Sequence, residues 1–193
     1  YMQCEKQQKD KLNTLHANYW KESELPLVEQ FFLDLLNGSI FSSQTEIADE
    51  IRSRHLDSTL IQQPFLSLLI QTGPFYSITS SGNRSLYEFA LKNIVREYFF
   101  QEYELPVTIR VLDSFYLLLL PASGHPHQEV VDRCQNALSD FVTHFPFSIN
   151  FFISSDVHLP EDLHRTFLSM ENYAQKNVTY ENHVFDLALE NTS

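Results

Sequence analysis

Few side chains in this sequence could do chemistry, and they do not form a set. Asp113 lies in the turn Leu112-Asp113-Ser114 between two apolar runs. A carboxylate on a hairpin tip could help hold a hard divalent cation, which takes oxygen ligands and neutralises phosphate charge during transfer. That chemistry needs several carboxylates, and the end of the apolar run Leu68-Leu69-Ile70 continues with the neutral Gln71 and Thr72. An isolated aspartate on a turn ordinarily forms the turn. His125-Pro126-His127 brings two imidazoles together with no third ligand nearby, so a solvated loop is expected rather than a metal site. His158, Asp162 and His164 lie at or beside a helix start; His158 and Asp162 are one turn apart and read as a capping or surface pair. No Gly-x-Ser-x-Gly elbow exists to present a nucleophile. Asn177-Val178-Thr179 matches a glycosylation sequon, but nothing else indicates secretion. The expectation is therefore no catalytic residue, no cofactor and no metal.

Composition narrows the class. The chain has 193 residues, 43% of them hydrophobic, with 16 Phe and 9 Tyr, enough for a sizeable aromatic core. Phe65, Phe75, Phe89, Tyr98, Phe99 and Phe100 could line a ligand pocket, but at strand and helix spacing they read as core. Only 4 Gly argue against a phosphate-cradling loop. A net charge of -12 argues against this segment gripping nucleic acid, since phosphate binding needs clustered Lys and Arg. Cys4 and Cys134 lie far apart and read as two unpaired cytosolic thiols. No apolar run reaches the roughly 20 residues a membrane span needs, and the amino end is polar. A cytoplasmic location without membrane contact is expected. The ends carry no start or stop logic, so the sequence is expected to be a piece of a longer chain.

The elements that would position these residues follow from periodicity. Residues 1–24 are polar and helix-prone, with Leu12, Leu15 and Tyr19 at heptad-like spacing. Residues 25–37 carry the stripe Val28, Phe31, Phe32, Leu35 and Leu36, and Asn37-Gly38 supplies a stop. Ser43-Gln44-Thr45-Glu46 matches a capping box, with Ile47 and Ile51 facing inward. Residues 64–70 read as a buried strand. A helix is expected from about Ser85 to Phe100, its inner face formed by Leu86, Phe89, Ala90, Ile94 and Tyr98. The hairpin follows, Val107 to Val111 and Phe115 to Leu120. A further helix spans about His127 to His144, with Val130, Val131, Cys134, Leu138, Phe141 and Val142 as its apolar positions. A strand is expected from Phe147 to Ile153. A helix then opens at Leu159-Pro160-Glu161-Asp162, facing inward through Leu163, Phe167, Met170, Tyr173 and Ala174. A short strand or extended tail at 178–185 closes the chain.

The core order is strand, helix, strand, strand, helix, strand. This is an α+β fold with the ferredoxin-like βαββαβ arrangement, expected to carry its helices on one face of an antiparallel sheet. Residues 1–38 are read as a linker or signalling helix and 39–193 as the domain proper.

The hairpin resembles the signature turn of GGDEF nucleotide cyclases, with Val111, Leu112, Asp113, Ser114 and Phe115 at the Gly-Gly-Asp-Glu-Phe positions. Both glycines and the glutamate are replaced. The first strand of such enzymes typically ends in Asp-x-Asp-x-Phe-Lys, and here it reads Ile70-Gln71-Thr72-Gly73-Pro74-Phe75-Tyr76. The resemblance implies a degenerate palm core, kept after its chemistry was lost. Gln71, Thr72, Asp113 and Ser114 would mark the vestigial nucleotide cleft.

The order and spacing also resemble the middle domain of bacterial AraC-type response regulators and their membrane-anchored relatives. The resemblance runs through residues 25–38, 89–97 and 163–174, followed by Asn182-His183-Val184-Phe185. It implies a non-catalytic regulatory and dimerisation domain of a transcription factor. A receiver or sensor would lie upstream and a helix-turn-helix downstream, so DNA would be bound only through that further domain. A homodimer is expected, with Leu12, Leu15, Tyr19, Val28, Phe31, Phe32 and Leu35 on the dimerising linker helix. The alternative is a small-molecule effector domain that reuses the vestigial cleft. A divergent enzyme is disfavoured by the missing carboxylates.

Overall fold

The computed structural model describes residues 26–40, 43–73, 81–100, 107–112, 114–122, 126–158 and 160–190. Helix α1 covers residues 26–36. It ends because Gly38 takes φ 72°, a left-handed conformation that costs glycine little. That turn lets Ser39 N–H reach back to the Asp34 carbonyl at 2.9 Å, closing the helix as a Schellman motif. Helix α2, Gln44–Ser53, begins as the sequence predicts: the Ser43 hydroxyl accepts from Glu46 N–H and donates to the Glu46 carboxylate. Ile47 and Ile51 are buried on its inner face.

A five-stranded sheet follows in the order β2-β3-β1-β4-β5. Its strands are β1 (Phe65–Thr72), β2 (Val107–Leu112), β3 (Phe115–Pro121), β4 (Ile149–His158) and β5 (His183–Asp186). Between them run α3 (Ser81–Val95, continued by a π-helical turn at Arg96–Phe100), α4 (His127–His144) and α5 (Leu163–Lys176). A short helix, α6 (Leu187–Glu190), follows β5. The β1-α3-β2-β3-α4-β4 order is the expected palm core, and β5 extends it.

Three features depart from the sequence-based expectation. First, the sheet is mixed, because β5 runs parallel to β4 while the other neighbours are antiparallel. Second, helices cover both faces. Leu66, Leu68 and Ile70 pack with Leu91, Val95, Val130, Cys134 and Phe141 from α3 and α4. Phe65 and Leu69 pack on the opposite face with residues of α1, α2 and α5. Strands covered on both faces read as continuous apolar runs, and every residue of β3 from Phe115 to Pro121 is buried. Third, α3 is rotated from the expected face: Ile94 and Tyr98 pack half-buried against the core as expected, but the fully buried positions are others. Leu91, Val95 and Phe99 are buried, whereas Leu86 and Phe89 are 62% and 63% exposed. Val142 of α4 is also exposed.

The stripe assigned by sequence to a dimerising linker lies in the core of the domain. Phe31 and Phe32 are fully buried, Val28, Leu35 and Leu36 nearly so, and all five share a cluster with Phe65, Leu117, Phe152 and Phe167. Phe32 meets Phe65 edge-on at 5.7 Å between ring centroids. Arg54 after α2 ties the helix down further through Asp34 at 2.7 Å, with its guanidinium over the Phe31 ring. The His164 Nδ1, from the first turn of α5, donates to the Leu36 carbonyl at 2.6 Å. Leu12, Leu15 and Tyr19 lie outside the described residues. Cys134 is fully buried, and burial pushes its thiol well above the ordinary range.

The π-helical turn is held by α4. Arg133 donates to the Tyr98 carbonyl at 3.0 Å, and the Tyr98 hydroxyl donates to the Asp140 carboxylate. That bond, helped by burial, holds the phenol up to about 12. A raised phenol stabilises the fold fully below its unfolded value of about 10, and the contribution disappears as pH rises through about 12. Tyr98→Phe is accordingly expected to flatten the loss of melting temperature between those two pH values, as scanning fluorimetry at stepped pH would read. An unchanged slope would exclude the Tyr98–Asp140 bond as its source.

Candidate functional site

One end of the sheet gathers the end of β1, the β2–β3 turn and the starts of β4 and β5. This is where the sequence places the vestigial cleft. Asp113 lies outside the described residues, while Gln71, Thr72 and Ser114 are described. Gln71 and Thr72 are consecutive on a strand, so their side chains point to opposite faces of the sheet. Gln71 pairs with Asn150 across the strands, and Thr72 with Ile149. The structure therefore brings Thr72 and Ser114 together and sends Gln71 to the other face.

Both contacts are closed within the protein. Thr72 is 2% exposed; its backbone N–H and its hydroxyl both donate to the Ser114 carbonyl, at 2.9 and 3.3 Å. On the opposite face the Asn150 amide donates to Gln71 Oε1 at 3.3 Å and to the Tyr180 carbonyl at 2.9 Å. Its oxygen accepts from His183 N–H at 3.0 Å. Asn150 is 5% exposed and joins the ends of β1, β4 and β5. Asn182 repeats the device one residue along: it takes φ 55° and accepts from Ile149 N–H at 3.0 Å. Asparagine tolerates that left-handed conformation better than most residues.

Gly73 closes the gap beside them. Its N–H donates to the Ser148 carbonyl at 2.6 Å, and an added Cβ would sit 2.5 Å from the Ser148 hydroxyl. This close approach accounts for the glycine where β1 ends. Beyond the turn, the β2–β3 pairing shifts register between Arg110 and Leu112, which marks a bulge. Arg110 pairs with Glu88 of α3 at 3.4 Å.

The described side chains that close this junction, Gln71, Thr72, Ser148, Asn150 and Asn182, are neutral. Uncharged amides and hydroxyls bound to the protein's own backbone do not supply the anionic oxygen ligands that a hard cation takes. Among the described residues no group of three or more His, Cys, Asp or Glu is close enough to hold a metal. Among the same residues no helix is long and apolar enough to cross a membrane.

The other chemistry-bearing residues are dispersed. His127 does not sit in a solvated loop: its Nε2 donates to Asp186 at 2.8 Å, 59 positions away in sequence. Asp162 pairs with Arg165 on its own helix. His125, and the side chain of His158, lie outside the description. Sequence reading missed Asn150 and Asn182. The signal for Asn150 was present, because an amide inside the run Ile149-Asn150-Phe151-Phe152 is out of place on a buried strand unless it is bonded.

Solved structures share this architecture. The GGDEF domain of FimX from Pseudomonas aeruginosa superposes with a TM-score of 0.50 at 13% identity, covering 74% of this chain and 92% of that one. A microbial GGDEF domain described in an interaction with cyclic di-GMP gives a TM-score of 0.48 at 12% identity over 84% of this chain and 92% of that one. The active GGEEF domain of a diguanylate cyclase from Vibrio cholerae gives 0.45 at 11% identity, covering 72% and 89%. At its identity the FimX likeness establishes a fold alone, and the fold is GGDEF-like. No family model matches the sequence, and no curated protein does.

Proposed function

We propose that this is a non-catalytic GGDEF-like regulatory and dimerisation domain of a bacterial AraC-type response regulator. It relays an input signal to a helix-turn-helix outside this sequence. One observation carries the reading. At the end of β1, where the Asp-x-Asp spacing of the cyclases would place two carboxylates, residues 70–73 are all neutral, and Gln71 and Thr72 are bonded to Asn150 and to the Ser114 carbonyl. Those bonds convert a cleft end into a strand junction, which supports a structural and regulatory role over catalysis. The net charge of -12 supports DNA contact through a separate domain. Dimerisation then rests on residues 1–25, since the stripe on α1 is buried in the domain itself.

The reading has a direct test. The purified chain is incubated with GTP and Mg²⁺, products are separated by chromatography, and self-association is followed by sedimentation with and without residues 1–25. No cyclic dinucleotide is expected, and truncation at residue 26 is expected to weaken self-association. Turnover of GTP would overturn the non-catalytic assignment, and unchanged association would remove the dimerising role from the amino-terminal segment.

A further inference from the structure

Strand β5 is the outermost of the sheet on its side, spans only His183–Asp186, and is the sheet's parallel addition. Parallel pairing is slightly weaker per residue than antiparallel, and short edge strands open first in local unfolding. It is held at three places. At its start His183 N–H donates to Asn150. In its middle Phe185 stacks flat on Phe152, 4.8 Å between centroids, with Tyr173 edge-on at 5.7 Å. At its end Asp186 meets His127, the first residue of α4, on a helix that packs against the opposite face of the sheet.

The end contact has two parts. Asp186 Oδ1 accepts from His127 Nε2 at 2.8 Å and from Ala188 N–H at 3.1 Å. One oxygen thus orders the turn from β5 into α6 and ties that turn to α4. The Asp186 side chain is 15% exposed and that of His127 35%, so the carboxylate is mostly withdrawn from water while its partner remains accessible. A mostly buried carboxylate that loses a donor must regain solvation, and it can do so by moving outward with the strand that carries it.

We propose that the His127–Asp186 pair is a latch that decides whether β5 and α6 stay docked on the sheet. Closed, the latch fixes the direction of α6 relative to the sheet. Open, it frees β5 and α6, taking Phe185 and Leu187 out of the cluster they share with Leu69, Leu117 and Phe152, while the pairings of β1 with β3 and β4 persist. The relay reading supplies the latch with a purpose, because a downstream module would be aimed by α6; the latch itself does not require that reading.

Hydrogen exchange with mass spectrometry on the full chain separates the two. His127→Ala is expected to speed exchange of the amides from His183 to Ala188 roughly ten-fold, while peptides from β1 and β3 keep their protection. His127→Gln, which restores an amide donor, should recover much of the protection. His144→Ala, on the far end of α4, should leave β5 unchanged. Unaltered exchange at β5 in His127→Ala would overturn the latch. So would a uniform rise across all strands, which would reduce the pair to a contributor to global stability. Neither result bears on GTP turnover or self-association, so the relay reading stands or falls separately.

Discussion

Removing residues 1–38 is expected to abolish cooperative unfolding, whereas removing residues 1–25 should leave it intact. The first cut takes away α1, and with it Val28, Phe31, Phe32, Leu35 and Leu36, all nearly or fully buried. Burying a side chain of this size contributes about 1.5–3 kcal/mol. Five of them together contribute about 7.5–15 kcal/mol, comparable to the roughly 5–15 kcal/mol by which a domain is stable. The cut also uncovers Phe65, Leu69, Leu117 and Phe152 on the sheet, and leaves Arg54 without Asp34. Phe32→Ala tests the same contact within the intact chain. Phe32 is fully buried between Phe31 and Phe65, and a large-to-small change there costs about 3–5 kcal/mol, because the transfer loss is joined by a cavity. Urea unfolding followed by circular dichroism reads both effects. A 39–193 fragment that unfolds as sharply as the full chain would mean that α1 is an appended linker after all.

Asn150→Ala is expected to cost about 2–4 kcal/mol, an unusual loss for so small a truncation. The substitution removes one side chain but strips partners from three groups: Gln71 Oε1, the Tyr180 carbonyl and His183 N–H. Each buried polar group left unpaired costs about 1–3 kcal/mol, and partial access of water to Tyr180 and His183 lowers the total. Asn150→Asp should be worse at neutral pH. Its carboxylate still accepts from His183 N–H, but it faces the Tyr180 carbonyl and Gln71 Oε1 with no proton to offer. Acidification should narrow the gap, since the protonated acid is a donor again. Equilibrium unfolding at two pH values, with exchange at His183 as a local readout, checks the argument. A loss below about 0.5 kcal/mol, the size of an ordinary surface change, would mean that the junction is not held through Asn150.

Local chemistry made much of this fold readable. The capping box at Ser43, the stop at Gly38, the hairpin turn before Ser114 and the apolar runs of β1 and β3 each act within a few residues, and each is where periodicity puts it. The βαββαβ order follows from those signals, whereas the GGDEF-like fold was read from a resemblance of the hairpin residues to a known family. The unbroken apolar run of β3 even carried evidence that both faces are covered.

Long-range choices were not readable. Helix α3 offers two adjacent apolar stripes, Leu86-Phe89 and Leu91-Val95-Phe99, and only its seat on the sheet selects the second. An amphipathic helix such as α1 carries the same stripe whether it covers its own domain or a partner, so the pattern alone leaves its occupant open. The candidate site shows the same division. Alternation along β1 already sends Gln71 and Thr72 to opposite faces, but their partners come from far along the chain. Gln71 meets Asn150 across 79 positions, His127 meets Asp186 across 59, and His164 meets Leu36 across 128. Short-range preferences decide which elements form. Which polar groups meet at the ends of those elements depends on the stacking of the whole sheet, and no residue's own sequence neighbourhood records it.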